Sequence, residues 1–283
     1  MWPRISIVTP SYNQGAFIEQ TIQSVLDQGY PNLEYIVIDG GSTDMTIEVI
    51  RKYEKHLAYW TSEKDRGAAD AIAKGFDRAS GDILGWLNSD DLFVPGALHA
   101  VAEVMSRPDV DVAFGNAYWI DSEGKIIGER RQTPFSRKGY LYGESMLMQP
   151  ATLWKRDIYL KCGGIDRSFR FAFDTDLFFR FVIHGARFKH VNKCLASYRI
   201  HSTSKSTNDE TICRQDLERI RQTYLPFPYN SVRAACTRAT AKMSRIFWYI
   251  LQGDLLWLIR RIPDRIRAPY SAEFVGPKGR GVK

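Results

Sequence analysis

The chain has 283 residues, of which 44% are hydrophobic and 25% charged. This composition excludes a disordered chain and can build a sizeable core, so we expect one α/β domain with a C-terminal appendage. The four cysteines have no CxxC spacing and no histidine cluster beside them, which argues against a zinc site or a redox motif. The chain opens almost directly on the β-rich run Ile5–Val8 without a signal-type leader, and we therefore expect a cytoplasmic protein.

Positive charge is concentrated near the C-terminus. The net charge is +7, and residues 233–267 contain eight basic and two acidic residues, which is a net six of those seven charges. A basic balance suits nucleic acid, an anionic membrane or an anionic small substrate. Because the excess lies in one tail segment and no nucleic-acid-binding motif accompanies it, we do not expect nucleic acid as a partner.

Short β-rich runs alternate with helical patterns through the first half of the chain. The predicted strands are 4–9, 34–39, 58–61, 83–88 and 110–115. The predicted helices are 17–28, 45–53, 67–79 and 96–105. This alternation predicts a largely parallel sheet with helices on both faces, in which ligands bind beyond the carboxyl ends of the strands.

Polar clusters follow three of these strands. They are Thr9–Asn13, Asp39–Asp44 and Asn88–Asp91. We expect all three to lie along one binding rim, because the carboxyl ends of parallel strands meet at the same edge of the sheet.

The Asn88–Asp91 cluster follows an apolar strand. Its carboxylates are hard oxygen ligands that suit a Mg²⁺ or Mn²⁺ ion held between the protein and a diphosphate. Such a cation would act as a Lewis acid and neutralise the charge of a leaving diphosphate. The alternative is that Asp90 and Asp91 only cap the turn before Pro95 and the following helix.

Asp39 ends the second predicted strand and precedes a helix. With Gly40 and Gly41 it is typical of a turn, in which Ser42 or Thr43 would be the N-cap. Asp39 is also suited to accept a hydrogen bond from the edge of a base, with Tyr12 available to stack on the ring. The two interpretations are compatible.

Asp174 and Asp176 stand at the start of a predicted helix. Leu177, Phe178, Phe181 and Val182 form its apolar face. The carboxylates would complement the helix dipole, or one of them would act as a general base on an attacking hydroxyl. His201 follows another predicted strand, and the sequence leaves open a structural histidine or a ligand.

The ordered series of these motifs resembles the family 2 inverting glycosyltransferases of GT-A fold. The resemblance covers residues 5–206. It is carried by the segments 6–14 (SIVTPSYNQ), 39–44 (DGGSTD), 62–75 (SEKDRGAADAIAKG) and 85–92 (GWLNSDDL). It implies a Rossmann-like, mostly parallel sheet flanked by helices, with an acceptor-side lobe and a helical appendage.

The resemblance also assigns roles to single residues. It places Thr9, Pro10, Tyr12 and Asn13 around the nucleotide, has Asp39 contact the base, and places Asp65 and Asp70 near the donor. Asn88, Ser89 and Asp90 occupy the family's DxD position, where Asp90 contacts the metal and His201 lies close to it. Asn88 departs from the family pattern, since an amide forms hydrogen bonds but brings no charge. Asp174 corresponds to the catalytic base and Asp176 to a supporting carboxylate.

The resemblance implies transfer of a sugar from a nucleotide-diphosphate sugar to an acceptor hydroxyl. UDP-sugars are favoured, a divalent metal (Mn²⁺ or Mg²⁺) is the cofactor, and the acceptor is a saccharide or lipid-linked saccharide in polysaccharide or glycolipid synthesis. The alternative, prompted by Asn88, is a noncatalytic nucleotide-sugar-binding module. We expect a nucleotide-sugar-binding half at 1–115, an acceptor and catalytic-base half at 116–206, and a basic helical extension at 207–283.

The end of the chain contains two apolar runs, 246–251 and 255–259, separated by Gln252-Gly253-Asp254. They are too short and too interrupted to cross a bilayer. Their aromatic residues and flanking arginines are typical of a helix lying on an anionic membrane, although a helix packed on protein would look similar. Residues after Pro269 carry little pattern and predict a mobile end.

Overall fold

A computed structural model describes residues 2–143, 146–201 and 210–251. The strands are β1 Ile5–Ser11, β2 Leu33–Asp39, β3 Tyr59–Ser62, β4 Ile83–Trp86, β5 Leu92–Phe93, β6 Val112–Ile120, β7 Ile126–Arg130, β8 Thr152–Lys155 and β9 Phe188–Arg199. The helices are α1 Ile18–Leu26, α2 Thr46–Tyr53, α3 Ala68–Arg78, α4 Ala97–Met105, α5 Arg137–Leu141, α6 Arg156–Lys161, α7 Phe173–Ile183, α8 Glu210–Tyr224 and α9 Val232–Leu251. The predicted mobile end lies outside the described residues.

One sheet organises the fold, with the strand order β3-β2-β1-β4-β8-β6-β9-β5 and with β7 paired to β6. Strands β3, β2, β1 and β4 are parallel, and Ser11 at the end of β1 lies opposite Asp39 at the end of β2. Every residue of β1 is buried, as a strand covered on both faces requires. This parallel half and helices α1 to α4 confirm the predicted α/β architecture.

The helix α3 approaches β1 closely at one glycine. A Cβ atom at Gly75 would clash with the side chain of Val8. Gly75 therefore lets the helix pack directly on the strand whose end carries the first polar cluster. The predicted N-cap of α2 at Ser42 or Thr43 is wrong, because the helix begins at Thr46, whose N–H donates to Asp44 at 3.0 Å.

The second half of the sheet is mixed. Strand β8 is antiparallel to both β4 and β6, β6 is parallel to β9, and β5 is antiparallel to β9. A hairpin joins β6 and β7, and in its turn the Asp121 carboxylate accepts the N–H groups of Glu123 and Lys125 at 3.0 and 2.9 Å. The sheet is thus less parallel than predicted, because β8 reverses direction between β4 and β6.

An aromatic cluster anchors α7 beneath the sheet. Trp154 of β8 contacts Phe178 and Phe181 of α7, with ring centroids 5.9 and 5.6 Å apart, and it also contacts Trp86 of β4 at 5.4 Å. All four side chains are buried. Aromatic pairs of this kind contribute about 0.5–1.5 kcal/mol each beyond their burial. The start of α7 is therefore fixed by its apolar face, as the predicted helical pattern requires.

The described residues form two compact units, one within the ranges 2–132 and 147–199, the other within the ranges 133–146 and 200–251. This grouping differs from the predicted segments, whose functional division stays a prediction. In the second unit, the guanidinium carbons of Arg221 and Arg238 lie 4.3 and 4.5 Å from the ring centroid of Tyr229. No helix in the described ranges combines the length and apolar character that crossing a membrane needs.

Candidate active site

The Asp39 carboxylate shapes the turn after β2. It is fully buried and accepts hydrogen bonds from the N–H groups of Gly41 and Ser42 at 3.1 and 2.9 Å. The hydroxyl groups of Ser42 and Ser62 donate to it at 2.5 and 2.6 Å. Asp39 therefore fixes this loop from inside, and a contact between Asp39 and a base stays a prediction.

The loop after β1 is tied to the Asp39 loop through Asn13. Asn13 has a positive φ of 52°, its N–H donates to the Ser42 hydroxyl at 2.8 Å, and its side-chain oxygen accepts the N–H of Thr43 at 2.9 Å. The side chain of Tyr12, next to it, is 57% exposed, which leaves a ring surface open for stacking. The two loops are thus held as one polar rim.

Two other residues predicted to line the nucleotide are internal. Thr9 is fully buried, and its hydroxyl shares a 3.0 Å hydrogen bond with Tyr35. Pro10 is also buried within β1. Their side chains belong to the sheet, while the adjoining Tyr12 and Asn13 lie on its rim.

Asp65 lies against the Asp39 loop. A Cβ atom at Gly40 would come within 2.7 Å of the Asp65 carboxylate, so only glycine at position 40 leaves this side chain in place. Asp65 also accepts the N–H of Gly67 at 2.7 Å. The structure therefore brings Asp65 to the same rim as Asp39, and its place near the donor stays a prediction.

Asp70 is the centre of a group of ion pairs. It is buried and lies 3.1 Å from Arg66, 3.8 Å from Lys74 and 3.4 Å from Arg167. Burial alone would raise the pKa of Asp70, but the hydrogen bonds from Arg66 and the charges of Arg66 and Lys74 outweigh it and lower the pKa. Asp70 links α3 to the loop before α7, which is a structural function beside the predicted one.

The loop after β4 is held by a directed chain of hydrogen bonds. The side-chain nitrogen of Gln149 donates to the carbonyl of Trp86 at 2.8 Å. The side-chain oxygen of Gln149 therefore faces Asn88. The Asn88 amide nitrogen then donates to Gln149 Oε1 at 3.3 Å and to Asp91 Oδ2 at 3.2 Å. Position 88 therefore faces two acceptors and requires a donor, which explains an asparagine where the family pattern has aspartate.

Asp91 is buried beneath this loop. Its Oδ1 accepts the backbone N–H of Arg199 at 3.0 Å, and its carbonyl accepts the Thr21 hydroxyl at 2.9 Å. Burial and, second, the charge of Asp90 raise the pKa of Asp91 well above its ordinary value. Ser89 is buried too, whereas Asp90 is half-buried. Asp91 thus supports the loop from within, and neither aspartate caps α4.

A divalent cation fits this loop when a diphosphate supplies further ligands. The described residues contain no group of three metal-ligating side chains. Asp90 nevertheless offers a carboxylate at the rim, and its negative charge adds to the effect of burial in raising the pKa of Asp91. A cation beside Asp90 would offset this negative charge. His201, the other predicted ligand, is half-buried and belongs to the second compact unit.

The two aspartates at the start of α7 differ in environment. Asp174 is half-buried, its Oδ1 accepts the N–H of Thr175 at 2.6 Å, and its Oδ2 accepts no hydrogen bond from the residues that the structure describes. Burial raises the pKa of Asp174 despite the hydrogen bonds from Thr175. A carboxylate with raised pKa is a stronger proton acceptor than an ordinary one.

Asp176 is fully buried and paired with Arg180. Arg180 Nε and Nη2 lie 2.9 and 2.5 Å from Asp176 Oδ2. Arg180 Nη1 donates to the carbonyls of Cys162 and Gly164 at 2.5 and 2.6 Å. The pair therefore fastens the loop before α7, and the supporting role of Asp176 in catalysis stays a prediction.

Sequence analysis missed Gln149, Arg180 and Arg199. Arg180 could have been found, because it stands four residues after Asp176 on a predicted helix. Arg199 carries no local signal, since the strand that it ends also contains Lys189, Asn192 and Lys193. Gln149 carries no local signal, since its partners lie 61 and 63 residues away.

Solved structures share this fold. The chain matches Staphylococcus aureus TarS (residues 1–349, in complex with UDP-GlcNAc) with a TM-score of 0.61 and 17% identity over 72% of this chain and 61% of TarS. The match thus spans less than two thirds of the solved TarS chain. A mannosyltransferase of Pyrobaculum calidifontis, in complex with GDP-Man and Mn²⁺, gives a TM-score of 0.61 and 18% identity over 97% and 86% of the two chains. The fold is therefore GT-A, the fold of a class of glycosyltransferases.

Sequence comparison gives the family. The family described as "Glycosyl transferase family 2" matches residues 6–169. An uncharacterized glycosyltransferase of Mycobacterium tuberculosis is 33% identical over 181 residues, 63% of this chain and 68% of the relative. The putative teichuronic acid biosynthesis glycosyltransferase TuaG of Bacillus subtilis is 30% identical over 220 residues, 73% and 82% of the two chains. The chain belongs to glycosyl transferase family 2, and it is a glycosyltransferase, as the motifs predicted.

Proposed function

We propose that this glycosyltransferase inverts the anomeric centre in a single displacement, with Asp174 as the general base. The observation that carries this proposal is the contrast between Asp174 and Asp176. Asp174 has a raised pKa and an oxygen without a hydrogen-bond donor among the described residues, whereas Asp176 is committed to Arg180. Of the two, only Asp174 is suited to accept a proton.

The proposed step uses this base directly. The acceptor hydroxyl transfers its proton to Asp174 while its oxygen forms a bond to the anomeric carbon of the donor sugar. The bond from that carbon to the diphosphate breaks, and its electron pair leaves with the nucleoside diphosphate. Because one displacement occurs, an α-linked donor gives a β-linked product.

The proposed donor is a nucleotide-diphosphate sugar, with UDP-sugars favoured. TarS was solved with UDP-GlcNAc and the Pyrobaculum enzyme with GDP-Man, which makes uracil and guanine the first bases to test. The exposed ring of Tyr12 supports stacking on the base. The remaining pocket residues in this proposal are Pro10, Thr9, Asn13, Asp39, Asp65, Asp70, Asn88, Ser89 and Asp90.

The proposed cofactor is Mn²⁺ or Mg²⁺, with Asp90 as its ligand in the first compact unit, and a ligand role for His201 stays a prediction. The crystallised Pyrobaculum relative contains Mn²⁺, which supports a divalent metal. Bound there, the cation would neutralise charge on the diphosphate as the donor bond breaks. Asp91 and Asn88 would keep Asp90 in place through the hydrogen bonds of the loop.

The proposed acceptor is a saccharide or lipid-linked saccharide in polysaccharide or glycolipid synthesis. The name of the Bacillus relative, which refers to teichuronic acid biosynthesis, supports the polysaccharide assignment. We place acceptor binding in the predicted segment 116–206, which contains Asp174 and follows the nucleotide-binding half.

We further propose that α9 lies on an anionic membrane surface. Its exposed apolar residues Met243, Phe247, Ile250 and Leu251 follow the i, i+4, i+7, i+8 spacing of one helix face. The helix also contains four basic residues and no acidic one. This charge suits anionic lipid headgroups, and the apolar face suits the acyl boundary below them. The second apolar run of the predicted membrane-binding segment, 255–259, lies outside the described residues.

A donor screen tests the enzymatic proposal. UDP-, GDP- and TDP-sugars are incubated with the protein, MnCl₂ and a panel of saccharide acceptors, and release of the nucleoside diphosphate is measured. We expect acceptor-dependent release with one base, loss of that release in the presence of chelator, and inversion at the anomeric carbon by NMR. A product of retained configuration would exclude the single displacement and Asp174 as its base.

A further inference from the structure

Arg199 is a buried cation at the end of β9. Its relative exposure is 1%, and it lies opposite Ile120 where β6 runs into the β6–β7 hairpin. Burying a guanidinium group is costly unless its donors are satisfied. The position of its hydrogen-bond acceptors therefore indicates what this residue does.

The guanidinium group of Arg199 joins three separate parts of the first compact unit. Nε donates to the carbonyl of Asp90 at 2.8 Å, and Nη2 donates to Gln20 Oε1 of α1 at 2.7 Å. Nη1 donates to the carbonyls of Asp121 and Ser122 in the hairpin turn, at 3.2 and 3.1 Å. These acceptors are all uncharged oxygens, and the negative charges of Asp90, Asp91 and Asp121 also act on the buried cation.

The main chain of Arg199 acts on the same loop. Its N–H donates to Asp91 Oδ1, so Arg199 holds both Asp90 and Asp91. The ring of Phe17 lies 5.0 Å from the guanidinium carbon and covers it from the α1 side. The planar guanidinium group of Arg199 therefore fixes the distance of the Asp90 main chain from α1 and from the β6–β7 hairpin.

We propose that Arg199 is a positioning residue that fixes the Asp90 main chain, and hence its carboxylate, for binding of a divalent cation with a nucleoside diphosphate. This inference rests on the proposed function. Outer-shell groups that orient a metal ligand typically change metal affinity by about 10- to 100-fold when they are altered. Lysine cannot replace the guanidinium group, because a single ammonium nitrogen cannot donate to acceptors in three separate parts of the fold.

The test compares Arg199→Lys with Arg187→Lys. Arg187 also donates several hydrogen bonds, to Asp111 and to the carbonyl of Pro108, but it stands immediately before β9, at the opposite end of that strand. Affinity for UDP in the presence of MnCl₂ is measured by calorimetry, and Mn²⁺ binding by electron paramagnetic resonance. We expect Arg199→Lys to weaken both by about 10-fold or more, with an unchanged acceptor KM, and Arg187→Lys to leave both affinities at wild-type values.

A second variant, Gln20→Ala, and hydrogen exchange of residues 88–91 test the role of Arg199 independently. Gln20 is exposed, so Gln20→Ala removes one acceptor of the guanidinium group with little risk to folding, and it should weaken Mn²⁺–UDP binding in the same direction. Hydrogen exchange of the peptide containing residues 88–91 should become faster in Arg199→Lys and stay unchanged in Arg187→Lys.

The outcomes are distinct. Wild-type Mn²⁺–UDP affinity in Arg199→Lys or unchanged exchange in residues 88–91 would overturn the role of Arg199. If the wild-type protein binds neither UDP nor GDP with Mn²⁺, the proposed donor and cofactor fail, and the exchange measurement still decides whether Arg199 positions the loop.

Discussion

The Asn88 side-chain nitrogen donates to the Asp91 carboxylate at 3.2 Å, and this contact determines which residue position 88 accepts. Asn88→Asp would restore the family's first acidic residue, yet it would place a second carboxylate against Asp91 and remove the donor to Gln149. A buried acceptor without its donor costs about 1–3 kcal/mol. We therefore expect a lower Tm and weaker UDP–Mn²⁺ binding.

Asn32→Asp is the matched control for this change. Asn32 is exposed and its side-chain nitrogen donates to the carbonyl of Trp2 at 3.2 Å. The same substitution there should alter neither Tm nor UDP binding appreciably. An Asn88→Asp protein that is as stable as the wild type and binds UDP–Mn²⁺ more tightly would show that the hydrogen-bond direction is assigned incorrectly.

Asp174→Asn and Asp176→Asn should fail in different ways. Asp174→Asn removes the proposed base and should lower the transfer rate by about 10² to 10⁴ while donor binding persists. The raised pKa of Asp174 shows that burial disfavours its charged form. Since asparagine carries no charge, the Tm of Asp174→Asn should equal or slightly exceed that of the wild type. Asp176→Asn weakens a buried ion pair with Arg180 and should lower Tm. Rate and thermal unfolding are measured on both proteins, and near-normal turnover by Asp174→Asn would reject the assignment.

The pH dependence of kcat should report Asp174. The base must be deprotonated to accept a proton, and its pKa is raised from 3.8 by burial. Activity should therefore fall as pH decreases through a value above that of an ordinary aspartate. Replacing Asp174 by asparagine should remove this acidic limb from the residual activity. An acidic limb that is identical in both proteins would belong to another group.

The parallel half of the sheet was predictable because its signals are local. Each of β1 to β4 is followed by a turn and, except at β4, directly by a helix with its own apolar periodicity. Strand β5 was missed because it has two residues and pairs with Ser197 and Ala196, about one hundred positions later. The antiparallel direction of β8 was not predictable for the same reason, since its pairing partners lie in the distant strands β4 and β6.

The candidate site was likewise predictable only where its signals are local in the sequence. The aspartates at strand and helix ends stood out in the sequence, and the structure shows how Asp39, Asp65 and the Asn88–Asp91 loop are held. The structural duties of Asp70 and Arg199 were hidden, because their partners include Arg167 and Asp90, which are remote in the chain. The residue types in the sequence identified candidate catalytic and binding residues. The contacts that hold these residues in place depend on the completed fold.

Gly40→Ala tests whether Asp65 belongs to the donor pocket. The added Cβ would meet the Asp65 carboxylate at 2.7 Å and displace this flexible side chain at small cost in stability. We expect weaker UDP binding by calorimetry with little change in Tm. Gly128→Ala is the control, because its Cβ would make only ordinary contact with Trp119, at 3.4 Å. Unchanged UDP affinity in Gly40→Ala would remove Asp65 from the pocket.

Membrane binding by α9 should require its apolar face. Phe247→Ser with Leu251→Ser removes two side chains that are 61% and 66% exposed. We expect this protein to lose cosedimentation with anionic vesicles, and wild-type binding to weaken as salt rises. Ile126→Ser with Leu160→Ser removes side chains of similar exposure elsewhere and should bind normally. Equal loss in both double variants would contradict a specific α9 surface.

The hydrogen bond from Arg199 to Gln20 connects residues 179 positions apart. During synthesis, the N-terminal strands and helices emerge first and have their pairing partners nearby in the chain. The Asn88–Asp91 loop emerges with them, but its restraint from β9 arrives only when residue 199 leaves the ribosome. A nascent chain that ends before residue 199 therefore lacks this restraint, and the Asn88–Asp91 loop can reach its final geometry only late in synthesis.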